Sequence, residues 1–207
     1  MIQATFNECL DFIGSFAFCL SGATLAKSRR MDVFGIYVLA VVTGFGGGFL
    51  RDLILGNHLP FLFRTPLCWI IALLSTILVF IPILSQRKLI PKLIQIFDAI
   101  GLAFFTVVGI KAGLDKNLFP SQCILMGLLT ACFGGVIRDV LVNKIPSLFY
   151  REVYAVLSLA GGLFYFSMSH ILSNPTLEFV TIGLIFLARI FAIFWKLHLP
   201  NGKTKVS

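Results

Sequence analysis

Residues 38–55 read VLAVVTGFGGGFLRDLIL, and this stretch decides what fold the chain can have. Its length and flanks suit a membrane-spanning helix, yet it carries Gly44, Gly46, Gly47 and Gly48 in its middle and the adjacent charges Arg51 and Asp52 near its end. A glycine weakens a helix by up to about 1 kcal/mol relative to alanine, and a charge at the centre of a membrane helix costs about 2.5–3.5 kcal/mol on insertion scales. Such groups belong against protein or a water-filled cavity rather than lipid. The stretch also occurs twice. Residues 130–142 read TACFGGVIRDVLV, so Thr43, Gly47, Gly48, Arg51, Asp52 and Leu53 recur as Thr130, Gly134, Gly135, Arg138, Asp139 and Val140 at a constant shift of 87.

The repeat extends outward from this motif. At the same shift Asp11, Ile13, Gly14, Phe18 and Gly22 recur as Asp98, Ile100, Gly101, Phe105 and Gly109. Past the Arg-Asp pair one residue is deleted, and Pro60, Leu62 and Phe63 match Pro146, Leu148 and Phe149 at a shift of 86. Seven apolar segments, 4–26, 33–55, 66–84, 93–113, 119–142, 149–170 and 176–197, approach the roughly 20 residues that cross a bilayer core. Each unit holds three of them, and an odd number of crossings inserts the second unit upside down relative to the first. The expected fold is an all-α integral membrane protein of seven transmembrane helices, two inverted three-helix repeats plus a seventh helix. One membrane domain covers 4–197, with repeat one at 4–84, repeat two at 93–170, the extra helix at 176–197 and a cytoplasmic tail at 198–207.

Composition agrees. Hydrophobic residues make up 58% of the chain and charged ones only 13%, with a mean hydropathy of +0.96, which excludes an ordinary soluble enzyme. The net charge of +8 does not point to nucleic acid, because the basic residues lie in short loops between apolar runs. If the segments alternate across the membrane, eleven of the 17 Lys and Arg fall on one side, including Lys27, Arg29, Arg30, Arg87 and Lys88. The positive-inside rule makes that side cytoplasmic, leaves the N-terminus outside, and sets those five residues against anionic lipid headgroups. The five cysteines lie in or beside apolar segments without metal-ligand spacing and read as small apolar fillers. The first apolar run opens on Glu8 and Asp11 and lacks the basic leader of a cleavable signal peptide.

The chemistry concentrates in helices two and five. Gly46, Gly47 and Gly48, with Gly134 and Gly135, are expected to break or kink these helices, freeing backbone groups near the midplane as a site for small ions or solutes. The competing reading is close helix packing through small residues. Neighbours on a helix point about 100° apart, so Arg51 and Asp52 are not expected to pair with each other. Asp11 or Asp98, or the other repeat's Asp, is the expected partner, as a structural lock or as pore lining. Lys111, where repeat one has Thr24, either snorkels to the outer interface or gates a vestibule. Thr43 and Thr130, like Ser21 and Thr106, either line the pore or bond their own helix backbone. Arg189 is expected to meet Glu178 or lipid headgroups, and His58, His170 and His198 read as interfacial.

The paired GGGFLRDL and GGVIRDVL motifs, each preceded 40 residues earlier by D-x-I-G (Asp11–Gly14 and Asp98–Gly101), resemble the bacterial branch of the trimeric intracellular cation (TRIC) channels. This domain is also labelled a glycine-transporter or UPF0126 domain, and the resemblance covers about residues 5–196. It implies a seven-helix protomer, a homotrimer, and a pore through each protomer that passes monovalent cations, K⁺ chiefly, with Na⁺ the other candidate. It further implies that helices two and five line the pore at Gly46–Gly48 and at Gly134 and Gly135, with Phe133 standing where repeat one has Gly46. Bound lipid and a second copy of the chain are the expected partners, without enzyme chemistry or organic cofactor. Three functional classes stand at this point: a cation channel, a secondary transporter of glycine or another small zwitterion, and a packing scaffold.

Overall fold

The computed structural model describes residues 2–81, 89–150 and 153–195, with residues 2–7 and Tyr150 described as backbone only. Among them are nine helices: α1 (Ile2–Ser28), α2 (Val33–Ile54), α3 (Phe61–Arg64), α4 (Leu67–Leu78), α5 (Ile90–Asp115), α6 (Pro120–Leu141), α7 (Ser147–Tyr150), α8 (Val153–Met168) and α9 (Asn174–Phe194). The seven longer helices fall one in each expected segment. Five of them, α1, α2, α5, α6 and α9, are long and apolar enough to cross a membrane, whereas α4 and α8 are shorter apolar helices. The four-residue helices α3 and α7 were not expected, because one turn leaves no periodic signal in a sequence. They occupy equivalent places at the shift of 86.

Local chemistry sets the helix ends. The Asp32 carboxylate accepts from the Gly35 N–H at 2.7 Å and caps α2. Proline stands in the first turn of α5, α6 and α9, where its missing N–H is not needed. At the other end of α2, Gly56 takes a left-handed φ of 67°, and the Asn57 N–H returns to the Asp52 carbonyl at 2.9 Å. In α6 the same closure uses Asn143 at φ 54°, with the Lys144 N–H on the Asp139 carbonyl at 2.9 Å. Only glycine and, less readily, asparagine adopt this conformation routinely, so the two repeats end their motif helices by one device.

Four helices form the centre: α1 packs on α2 and α5, α5 on α6, and α6 on α2. Helix α4 flanks α1 and α2, α8 flanks α6 and α5, and α9 covers α5 and α8. The contacts between the repeats are reciprocal. A Cβ at Gly14 would press on the ring of Phe105, and one at Gly101 on the ring of Phe18. The two rings stack at 5.5 Å, a geometry worth about 0.5–1.5 kcal/mol beyond area burial. A Cβ at Gly47 would overlap the Thr130 carbonyl oxygen, and one at Gly134 the Thr43 carbonyl oxygen.

The course of α2 and α6 corrects one part of an expectation, the break. Helices α2 and α6 run without interruption through Gly44–Gly48 and through Gly134 and Gly135, so the glycines do not break them. At Gly47 and Gly134 the missing side chain lets the two backbones touch where the helices cross. The α2–α6 crossing is thus made by backbone on backbone.

Candidate functional site

Two arginine clusters are built from equivalent residues, one in each repeat. In the first, Arg51 of α2 reaches Asp11 of α1, with Nη1 3.1 Å from Oδ1, and its Nε lies 3.0 Å from Asp52 Oδ1. The other Asp52 oxygen accepts the Phe61 N–H at 2.7 Å and caps α3, and Asn57 Nδ2 donates to Asp52 Oδ1 at 3.1 Å. In the second, Arg138 of α6 reaches Asp98 of α5 at 2.6 Å and its own neighbour Asp139 through Nε at 3.0 Å. Asp139 Oδ2 accepts the Ser147 N–H at 2.8 Å at the start of α7. Each cluster holds two carboxylates around one guanidinium.

The expectation that Arg51 and Asp52 would not pair is therefore corrected, and Arg138 and Asp139 pair in the same way. A helix does point adjacent Cα–Cβ bonds about 100° apart, but the three methylenes of arginine bring the guanidinium back across that angle to a short neighbouring carboxylate. The cross-helix partners are Asp11 and Asp98, as expected. Each arginine takes the Asp of its own repeat, not that of the other. All four residues of the Arg-Asp motifs are buried, Arg138 to 2% exposure.

The clusters lie toward opposite ends of the bundle. Helix α5 carries Asp98 in the second cluster and, 13 residues on, Lys111 beside the first, a rise of about 20 Å at 1.5 Å per residue. A cavity of about 480 Å³ opens over the first cluster, between the start of α1 and the ends of α2 and α5. Its charged lining is Glu8, Asp11, Asp52 and Asp115 against Arg51, Arg64, Lys111 and Lys116. The second cluster is sealed by Ser21 of α1, whose hydroxyl donates to Asp98 at 2.7 Å and accepts from Arg138 Nη1. Val108, the residue that replaces Ser21 at the equivalent place, lines the cavity instead.

Gly48 and Gly135 leave space over which the Arg51 and Arg138 guanidinium groups lie, with their nearest nitrogens 3.8 and 3.9 Å from a built Cβ. Gly46 faces Ile137 and Gly134 of the other repeat. Thr43 and Thr130 are buried and donate to the Leu39 and Met126 carbonyls of their own helices, each at 2.6 Å. Thr106 bonds the Leu102 carbonyl and meets Ser158 at 2.8 Å. None of these threonines lines the cavity. Lys111 does not snorkel: it is 9% exposed, and its ammonium lies 2.6 Å from the Glu178 carboxylate of α9. Glu178 is thus engaged by Lys111, whereas Arg189, 11 residues further along α9 and about 16 Å away along its axis, stacks on the Tyr154 ring at 4.9 Å. Arg29 and Arg30 are exposed, but Lys27 donates to the Val79 carbonyl at 3.0 Å and lies over the Phe80 ring. Arg87, Lys88 and His198 lie outside the described residues.

Sequence reasoning missed the pairing of Lys111 with Glu178, because α9 has no counterpart in the repeat. It also missed Tyr154, whose hydroxyl donates to the Ala131 carbonyl at 3.3 Å under the second cluster. The acidic residues of the cavity had one legible sign: Lys111 and Asp115 are four apart and share a helix face.

Residues 8–82 and again 95–170 match the model of a family described as "Glycine transporter", once for each repeat. The UPF0126 inner membrane protein YadS of Escherichia coli K12 is 34% identical over 194 residues, which cover 93% of this chain and 94% of that protein. The TRIC trimeric intracellular cation channel orthologue from Rhodobacter sphaeroides is similar in structure with a TM-score of 0.85 at 31% identity, over 93% of this chain and 100% of that one. A prokaryotic TRIC channel crystallised in 0.5 M KCl gives 0.88 at 32% identity, over 95% and 100%. With both repeats matched and likeness to these proteins along nearly the whole chain, the protein belongs to the bacterial branch of the TRIC family, the same domain family that carries the description glycine transporter.

Proposed function

We propose that this protein is a channel for monovalent cations, K⁺ chiefly, in the bacterial inner membrane, assembled as a homotrimer with one pore through each protomer. The observation that carries the reading is the pair of buried arginine clusters, one holding Asp11 and the other bonded by Ser21 ten residues on along α1, about 15 Å further along its axis, with the first open to a charged cavity. Polar groups of this cost are retained in a membrane interior where ions or protons pass. Two carboxylates to each guanidinium leave both clusters formally negative, which suits a cation. The names of the solved relatives, TRIC cation channels, agree with it.

In this reading the two repeats are inverted, consistent with their reciprocal contacts and with clusters at opposite ends of the bundle. Helices α3 and α4 together, and α7 with α8, make the two crossings for which α4 and α8 alone are short. The N-terminus lies outside and the C-terminus inside, so the cavity is an outer vestibule and the Ser21-sealed cluster an inner constriction. Exposed Arg29 and Arg30 then meet the inner leaflet, with Arg87 and Lys88 as further headgroup contacts. Glycine or another small zwitterion as a carried substrate has less support, because unbroken α2 and α6 present no free helix ends at the midplane.

The test is recording from planar bilayers containing the purified protein. Discrete ohmic current steps with a reversal potential near that of K⁺ in a KCl gradient are expected. A silent bilayer together with saturable glycine counterflow in vesicles would replace the channel by a carrier.

A further inference from the structure

The cavity over the first cluster holds four acidic and four basic side chains, so its own lining is electrically balanced. One of the four cations, Lys111, is compensated from outside that lining. Its ammonium lies 2.6 Å from Glu178, which is 2% exposed, belongs to α9 and does not line the cavity. The second Glu178 oxygen is buried and has no hydrogen-bond partner among the described residues. Nothing in the repeat demands this carboxylate: α9 stands outside both units, and the place of Lys111 in repeat one is held by the neutral Thr24.

We propose that Glu178 is a specificity-determining residue of the vestibule, acting as a positioning residue through Lys111: by neutralising that ammonium from behind, it leaves the cavity with one uncompensated negative charge. The inference rests on the channel reading. Without Glu178 the Lys111 charge has two outcomes. It stays uncompensated at the cavity wall, or it turns to Asp115, one helical turn on and itself part of the lining. In either case the vestibule loses one negative charge, and the local concentration of cations falls. The extra helix of this fold thereby sets the sign of the field at the mouth of a pore that the repeats alone would leave neutral.

The experiment compares wild type, Glu178→Gln and the double variant Lys111→Met/Glu178→Gln by K⁺/Cl⁻ permeability ratio from reversal potentials. The expected result is a fall of about threefold or more for Glu178→Gln in dilute salt, shrinking toward 1 M KCl as the screening length contracts from about 10 Å at 0.1 M to about 3 Å. The double variant, which removes both charges, is expected to regain the wild-type ratio. If Glu178→Gln does not yield folded protein, Glu178→Asp, with the same charge on a shorter arm, is expected to shift the ratio in the same direction by less. An unchanged ratio in the single variant, or a double variant no better than the single, overturns the proposal while leaving the channel standing. Absence of K⁺ current from the wild type overturns the channel reading and this inference with it.

Discussion

Gly47 of α2 lies against the carbonyl of Thr130 in α6, and Gly134 of α6 lies in the same way against the carbonyl of Thr43 in α2. The two contacts are one contact seen twice. They mean that glycines which look alike in the sequence differ in what they do, since Gly48 and Gly135 meet only guanidinium and hydroxyl groups at ordinary distance.

Valine at Gly47 or Gly134 would force the crossing helices apart. We expect a loss of at least about 1–3 kcal/mol, the usual cost of overpacking, and a lower melting temperature in detergent. Alanine at Gly48 or Gly135 is expected to leave melting unchanged or raise it, since alanine gains up to about 1 kcal/mol of helix propensity and meets no clash.

Asp98→Asn leaves Arg138 short of its 2.6 Å partner in a site where the arginine is 2% exposed. Removal of one member of a buried ion pair costs about 3–5 kcal/mol, so the expected readout is a sharp fall in folded yield and melting temperature. Asp139→Asn is expected to fall in the same direction, because it also weakens the cap on α7. Wild-type melting in both variants would show that the cluster does not hold the helices together.

Thr43→Val and Thr130→Val remove hydroxyls that bond only their own helix carbonyls. The expected cost is about 0.5–1.5 kcal/mol with unchanged ion permeability. A changed permeability ratio would move these side chains into the pore.

Glu8 is exposed beside the cavity, while Cys19, Cys68, Cys123 and Cys132 are buried. With Cys9→Ser as background, Glu8→Cys is expected to react with a membrane-impermeant maleimide in spheroplasts and not in inside-out vesicles. The reverse pattern would invert the assigned topology.

How much of this was legible in the chain depends on the kind of relation. The repeat was fully legible, because equivalent sites demand the same residue types and Asp11, Gly14, Arg51 and Asp52 return as Asp98, Gly101, Arg138 and Asp139. That each arginine meets an aspartate of another helix followed from the cost of leaving a buried guanidinium alone, while the choice of its own repeat's Asp11 or Asp98 did not. The role of the glycines did not follow, since a missing side chain serves a helix break and a close crossing equally well, and only the Thr130 and Thr43 carbonyls decide between them. Nor did the Lys111–Glu178 pair, 67 residues apart in sequence and joining a repeat to a helix outside it.

The measurement that bears most directly on the central claim is the membrane potential of proteoliposomes loaded with K⁺ and diluted into a K⁺-poor medium. A K⁺ diffusion potential, negative inside, that is independent of glycine and lost in Gly47→Val is expected. No potential from wild-type protein, with glycine uptake that saturates and exchanges, would contradict it.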